Sequence, residues 1–529
     1  MPSDKNDQQF QPIESHILRP WEQEQTFNDV LYEWMGRAPF LAIAFAIHLF
    51  AFFILSAIPM DTSVEKTEQV IQASIPPPPE DPFEEPEEPE EIEEVEEVVE
   101  EEVEFTDEVV EDVVDSNDEV DLDAPESPFN SDQWNDAIGL GGGAGGGGGK
   151  IGRRKGGRTG VKKEINKALL SGLEWLKAHQ SDDGRWDCDG FPNECDRGGE
   201  LCDGIGEPNH DVGVTGLALL AFLGFGDSLK EGTYQPQIKA GVAWLLKQQD
   251  KETGLLGQAV GHEFLYNHSI AALALCEAYY SDKGNPLLKK AAQNSINYIS
   301  RARNPYYAWR YEVPPNGDND TSVTGWMVFA LAAARDAELE VSYEDFRGAL
   351  TWFDDVTDPA TGRTGYLERN GQSSRLETLA DRYPRELTEA MTAVAMLCRV
   401  FIEDIVPETA KQEDILRKGG DLLLERLPEW TDDGSTCDMY YWYYGSYAMF
   451  QMGGIDASYW SKWEKAMEKA ILPNQRLEPP CYDGSWDPIG PWGYAGGRVY
   501  STACMVLCLE VFFRYGNVLG ARGEKEKAK

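Results

Sequence analysis

Alternation between two kinds of helix limits what this chain can fold into. Six segments are apolar on nearly every face: "VTGLALLAFLGF" (214 to 225), "SIAALALCEAYY" (269 to 280), "SVTGWMVFALAAA" (322 to 334), "EAMTAVAMLCRVF" (389 to 401), "GSYAMFQMG" (445 to 453) and "STACMVLCLEVFF" (501 to 513). The segments between them are amphipathic, as in "VKKEINKALLSGLEWLK" (161 to 177). A helix apolar all round must be buried, and an amphipathic one covers it.

The joints repeat as well. "SGLEWLKAHQSDDGRW" (171 to 186) reads as a helix ending in a Gln and a Gly-x-Trp turn, and "AGVAWLLKQQDKETGLL" (240 to 256) keeps that spacing, with Trp244 and Gln249 matching Trp175 and Gln180. Looser copies fall at 294 to 309, 348 to 366, 419 to 435 and 469 to 486. Units of roughly 45 to 70 residues lie at the long end of helical-repeat periods. Six buried and six covering helices close into a double-layered ring. The expected fold is therefore all-α, an (α/α)6 toroid over 161 to 515, with inner helices starting near 212, 268, 321, 388, 444 and 501.

The Gln…Gly-x-Trp turns at 180 to 186 and 475 to 486, with the "DTSVTGW" and "GGRVYSTA" helix starts, resemble the squalene-cyclase and prenyltransferase repeat family. The resemblance implies a toroid around an apolar cavity that handles isoprenoid chains. It also implies where to look for chemistry. Squalene-type cyclases start their reaction from D-x-D-D-T-A, whose middle carboxylic acid, kept protonated by an apolar site, protonates an alkene. The matching stretch here, "GDNDTSV", has Asn319 at that acid and Gly317 at the first Asp.

Asp318 and Asp320 are thus candidate acids, but Asp320 also stands where an N-cap belongs. Asp211 holds the same place in "NHDVGVTGL", and a residue type recurring in two repeats is more economically a cap. The expectation is that Asp320 accepts a backbone N–H at the start of "TSVTGWMVFAL" and is held ionised by it. Asp318 is left as a contact on the cavity rim, and Asp211 counts among the cavity residues.

Zinc-dependent prenyltransferases hold their metal with Asp, Cys and His. The nearest stretch here, "CDMYYWYYGS" (437 to 446), has Tyr441 where that His would lie, and Cys481 and Asp483 come in the wrong order. "DDVTD" (354 to 358) fits a magnesium–diphosphate pattern but falls at an outer-helix exit, where it reads as a solvated turn. Cys188, Cys195 and Cys202 share a loop with Asp187, Asp189, Asp196 and His210. Cys188, Cys195, Cys202 and His210 could ligate a metal, two of the thiols could pair, or none has a role. Cys276, Cys398, Cys504 and Cys508 lie in apolar helices and read as core. Trp326, Tyr441, Tyr444 and Tyr447 are candidate cavity residues that could stabilise a cation, pack the core or bind a peptide. There is no P-loop, dinucleotide fingerprint or nucleophile triad, and no cofactor is expected.

Before the toroid the chain has a different character. The formal net charge is −46, and roughly 29 acidic residues against the single Lys66 lie between Asp61 and Glu126. Such a chain repels nucleic acid. Residues 38 to 59 have the length and apolarity of a transmembrane helix. Arg19 and Arg37 before it, with Asp61 and Glu65 after it, favour a cytoplasmic tail (1 to 37) and an extracytoplasmic, periplasmic toroid. An acidic Pro/Glu-rich stalk (60 to 138), a Gly-rich and basic linker (139 to 160) and a charged tail (516 to 529) complete the plan. His48 in the span, followed by "IPPPPEDPFEEPEEPEE" (75 to 91), resembles TonB-type energy transducers, which implies a proton-driven motor complex as partner. The reading that follows is a membrane-anchored toroid holding an isoprenoid-like or other apolar ligand without standard cyclase acid chemistry. The alternatives are an active cyclase or prenyltransferase-like enzyme, and an envelope module that binds a protein or peptide.

Overall fold

A computed structural model describes residues 161–195, 197–406 and 412–514. The proposed tail, membrane span with His48, stalk, linker and C-terminal tail lie outside these residues, as does Asp196. Among the described residues no helix is long and apolar enough to cross a membrane.

Among the described residues, twelve long helices alternate between two layers. The outer ones are α1 (Lys163–Ala178), α3 (Gln235–Gln248), α5 (Pro286–Ala302), α7 (Tyr343–Val356), α9 (Glu413–Glu425) and α11 (Ala457–Ile471). The inner ones are α2 (Asp211–Phe225), α4 (Phe264–Ser281), α6 (Thr321–Asp336), α8 (Ala390–Ile405), α10 (Met439–Met452) and α12 (Gly493–Arg514). Each inner helix packs on the next, and α12 packs back on α2, which closes the ring.

Burial separates the layers as the composition requires. Every residue of α10 is buried, whereas α9 buries only Leu416, Gly419, Gly420 and Leu423. That last set, at i, i+3, i+4 and i+7, is a single stripe.

The Gln and Trp positions staple neighbouring repeats. Gln180 Nε2 donates to the carbonyls of Gly184 (2.8 Å) and Gln237 (3.0 Å), the latter in the next outer helix. Gln249 does the same with Gly254 and Ala291. Gln475 bonds Gly484 and reaches Ala168 of α1 at 2.8 Å, so the same staple joins last repeat to first. Trp186, Trp309 and Trp486 each donate their indole N–H to the end of the preceding outer helix. Gly484 adopts φ +97, and a Cβ there would lie 2.1 Å from the Ser171 carbonyl. No other residue tolerates both the left-handed turn and that close approach.

Some boundaries differ from the sequence expectation. The fifth inner helix starts at Met439 rather than near 444, because Asp438 accepts the Tyr441 N–H at 3.0 Å and nucleates it earlier. α4 begins at Phe264, about a turn early. α12 begins at Gly493 and is broken at Gly497, which has φ +61.

Candidate functional site

Carboxylates recur where inner helices begin. Asp211, Asp320, Glu389 and Asp438 stand at the starts of α2, α6, α8 and α10, each with an arginine from a preceding loop. Arg375 meets Asp438 at 2.5 Å, Arg363 meets Glu389 at 2.6 Å and Arg185 meets Asp211 at 3.3 Å. Arg310 stops 3.9 Å short of Asp320. Asp320 is also fully buried, at 0% exposure.

Asp320 caps α6, its Oδ1 accepting the Val323 N–H at 2.7 Å. Its Oδ2 makes no hydrogen bond of normal geometry, although the Tyr366 hydroxyl lies beside it and favours the ionised form. Burial outweighs the Val323 N–H and Arg310 and pushes the carboxyl up to about 7. Capping therefore does not hold it ionised, contrary to the expectation. One oxygen is spent on the helix, and desolvation of the other dominates. Near neutrality this group can give or take a proton.

Four phenols lie within reach of its charge. Tyr266, Tyr311, Tyr366 and Tyr440 all sense its charge, and burial raises each of them. The Tyr311 and Tyr366 hydroxyls bond one another, and Tyr440 Oη pairs with Ser322 Oγ at 2.9 Å. Asp318 is largely solvated, 3.8 Å from Arg310. Asn319, at the place of the cyclase acid, braces the loop: its Oδ1 accepts from the Ala308 N–H (2.9 Å) and Asn304 Nδ2 (3.1 Å).

An aromatic wall continues from the acid. Tyr440, Tyr443, Tyr444 and Tyr447 share one face of α10 by helical spacing. Trp326 stacks on Tyr443 at 5.5 Å and meets Tyr444 edge-on at 5.3 Å, with Phe329 against Tyr447. Tyr444 Oη is buried without a hydrogen-bond partner among the described residues. Tyr441 is not part of this wall. It points to the outer layer, donating to the Arg426 carbonyl at 2.8 Å beside a groove of about 690 Å³ shared with Trp442 and Lys462.

Asp211 accepts the Cys188 N–H (2.9 Å) and clusters with Asp187 and Asp189; burial pushes it up to about 6. In the diphosphate-like stretch, Asp354 pairs with Arg399 at 2.6 Å. The four candidate metal ligands do not meet. Cys188 lies against the Ala495 and Gly496 carbonyls, and His210 pairs with Asn267 at 3.2 Å. Cys202 instead meets His179 and Cys481, two residues the sequence reading did not connect with it, and Cys195 lies near Cys481. The one available signal was length: the turn from Gln475 to Trp486 is five residues longer than that from Gln180 to Trp186, and Cys481 sits in the excess.

No family model matches the chain, and the curated proteins give no match. Solved structures do. The GH76A alpha-1,6-mannanase from Salegentibacter sp. HEL1_6 is 12% identical with a TM-score of 0.44, covering 66% of this chain and 98% of its own. A sugar epimerase from a ruminal bacterium is 15% identical at 0.44, covering 66% and 98%. A variant of the type II terpene cyclase MstE from Scytonema is 14% identical at 0.41, covering 68% and 98%. Three different activities accompany these likenesses, so they assign none to this chain.

Proposed function

We propose that the toroid binds an apolar, isoprenoid-like ligand along the Trp326, Tyr440 and Tyr444 wall, with the Asp320 carboxyl at its head, and without the acid arrangement of standard cyclases. The observation that carries this reading is the fully buried Asp320 Oδ2, met by Arg310 Nε only at 3.9 Å and weakly by the Tyr366 hydroxyl, where the aromatic wall begins. A buried carboxyl whose second oxygen is weakly partnered is costly, and a ligand oxygen there would offset the cost by accepting its proton in a hydrogen bond. Tryptophan and tyrosine faces suit an unsaturated chain, whose bulk they bury.

Alkene protonation is a second reading, favoured by the same wall, since Trp326 and Tyr443 could stabilise a cation. An acid near 7 is a weak one for that task, and Asn319 replaces the family's acid, so hydrogen bonding is preferred.

Titration of the purified chain with geranylgeraniol, followed by tryptophan fluorescence, separates the readings. Asp320→Asn keeps a donor and binds within a few-fold of wild type, whereas Asp320→Leu weakens binding about tenfold. Equal affinity in Asp320→Leu overturns the proposal. Cyclisation of squalene by wild type, lost in Asp320→Asn, would establish the acid reading instead.

The proposal includes an anchor at 38 to 59 that presents the toroid outside the cytoplasm. Its apolar length and flanking charges support it, and extraction of the chain from membranes by carbonate wash would refute it. The implied motor contact through His48 predicts that His48→Ala abolishes function in cells while the chain stays membrane-bound.

A further inference from the structure

Outside the Asp320 region a buried group of ligating side chains lies where the ring closes. His179 ends α1, Cys202 comes from the long loop of the first repeat, and Cys481 comes from the enlarged turn of the sixth. All three are buried. His179 Nε2 lies 3.3 Å from Cys202 Sγ and 3.5 Å from Cys481 Sγ, and the two sulfurs are 3.2 Å apart. Cys195, half-buried, lies near Cys481 and Cys202 but outside that tight group.

From this geometry we propose a structural metal centre for zinc on His179, Cys202 and Cys481, with Cys195, which lies just outside that tight group, moving in to close it as the fourth ligand. Tetrahedral zinc, with sulfur at ~2.3 Å and nitrogen at ~2.0 Å, places its ligand atoms roughly 3.5 to 3.8 Å from one another. The two S–N edges, 3.3 and 3.5 Å, lie at or just below the short end of that range, and the S–S edge, 3.2 Å, has to open by about 0.5 Å to take the metal. A disulfide requires sulfurs at ~2.05 Å.

The outer contacts fit the same assignment. His179 Nδ1 faces the Trp175 carbonyl at 2.8 Å, and a carbonyl only accepts, so Nδ1 carries the proton and Nε2 presents its lone pair to the sulfurs. A metal-bound histidine is held by that kind of partner. The Cys202 N–H donates to Cys481 Sγ at 3.2 Å, as suits a thiolate. Binding converts three thiols to thiolates and releases three protons. Three thiolates and Zn²⁺ leave one negative charge, and Arg197 and Arg498 act on His179 from nearby. Both arginines already tie the same parts together, Arg197 to the Asp483 carbonyl and Arg498 to Asp203.

Thiolate-rich, closed tetrahedral sites select zinc among common divalent ions. Cys202 and Cys481 are 279 residues apart, so the centre would fasten the first repeat to the last. Its role is mechanical. It is separate from the Asp320 site, and its success or failure leaves the ligand proposal untouched.

The test is elemental analysis of the full-length chain, purified without chelator from zinc-supplemented medium. The expected result is one zinc per chain, retained in Cys188→Ser and reduced about tenfold or more in Cys481→Ser and in His179→Ala. Should those variants fail to fold, cobalt exchanged into the wild-type chain must give the absorption of tetrahedral cobalt thiolate. A chain without stoichiometric zinc overturns the proposal. So does zinc that survives Cys481→Ser, or a mass lower by two hydrogens from a Cys202–Cys481 disulfide.

Discussion

Replacing Asp320 by Asn separates its two roles, because Asn caps a helix nearly as well but does not titrate. The wild-type carboxyl moves from 3.8, its ordinary value, to about 7 in the folded chain, so the native state holds its proton more tightly than the unfolded state does. The stability this supplies is complete below pH ~4 and is lost as pH rises through about 7. At 1.36 kcal/mol per unit, a raise of roughly three units corresponds to about 4 kcal/mol. Urea unfolding of both proteins between pH 4 and pH 8 measures it, since every other titrating group, Asp211 included, cancels in the difference. At pH 4 the two should agree within ~1 kcal/mol, the worth of the cap. At pH 8 Asp320→Asn should be the more stable by several kcal/mol. A difference that stays flat with pH refutes the reasoning and means that Arg310, 3.9 Å away, holds the carboxylate ionised after all.

Tyr444→Phe removes a buried hydroxyl with no hydrogen bond to lose among the described residues; the unfolding free energy should stay or rise, by up to ~1 kcal/mol, and a clear loss would reveal a missed partner. Gln475→Ala deletes both bonds of the staple that joins the sixth repeat to the first. It should cost about 2 kcal/mol, and a cost near zero would show that this staple is redundant with the other closing contacts. Gly484→Ala forces a Cβ to 2.1 Å from the Ser171 carbonyl at a positive φ. Calorimetry should show ~3 kcal/mol or more of destabilisation, and a neutral result would mean that the turn relaxes freely.

Much of this molecule was legible in the chain. The alternation of all-round apolar and amphipathic helices announced two layers, because the 3.6-residue period records locally which face is buried. The Gln and Trp spacing marked the joints, and Asp320 was readable as a cap because capping involves a residue only three positions away. The fifth inner helix was misplaced by about five residues, since "YYWYY" has no periodicity of its own. The same run, aromatic at every position, gave no way to tell an inward face from an outward one, so Tyr441 was counted on the wall when its side chain faces the outer layer.

What the chain could not reveal are properties set by atoms distant along it. Whether Asp320 is ionised depends on how near an arginine comes and how much water is excluded, and nothing in "GDNDTSV" distinguishes Arg310 at 3.9 Å from Arg375 at 2.5 Å beside Asp438. The grouping of His179 and Cys202 with Cys481 exists only because the ring closes and brings together residues 279 apart. Periodicity and capping are near-neighbour effects written into the order of residues. Protonation state and ligand geometry follow from packing, which only the closed fold decides.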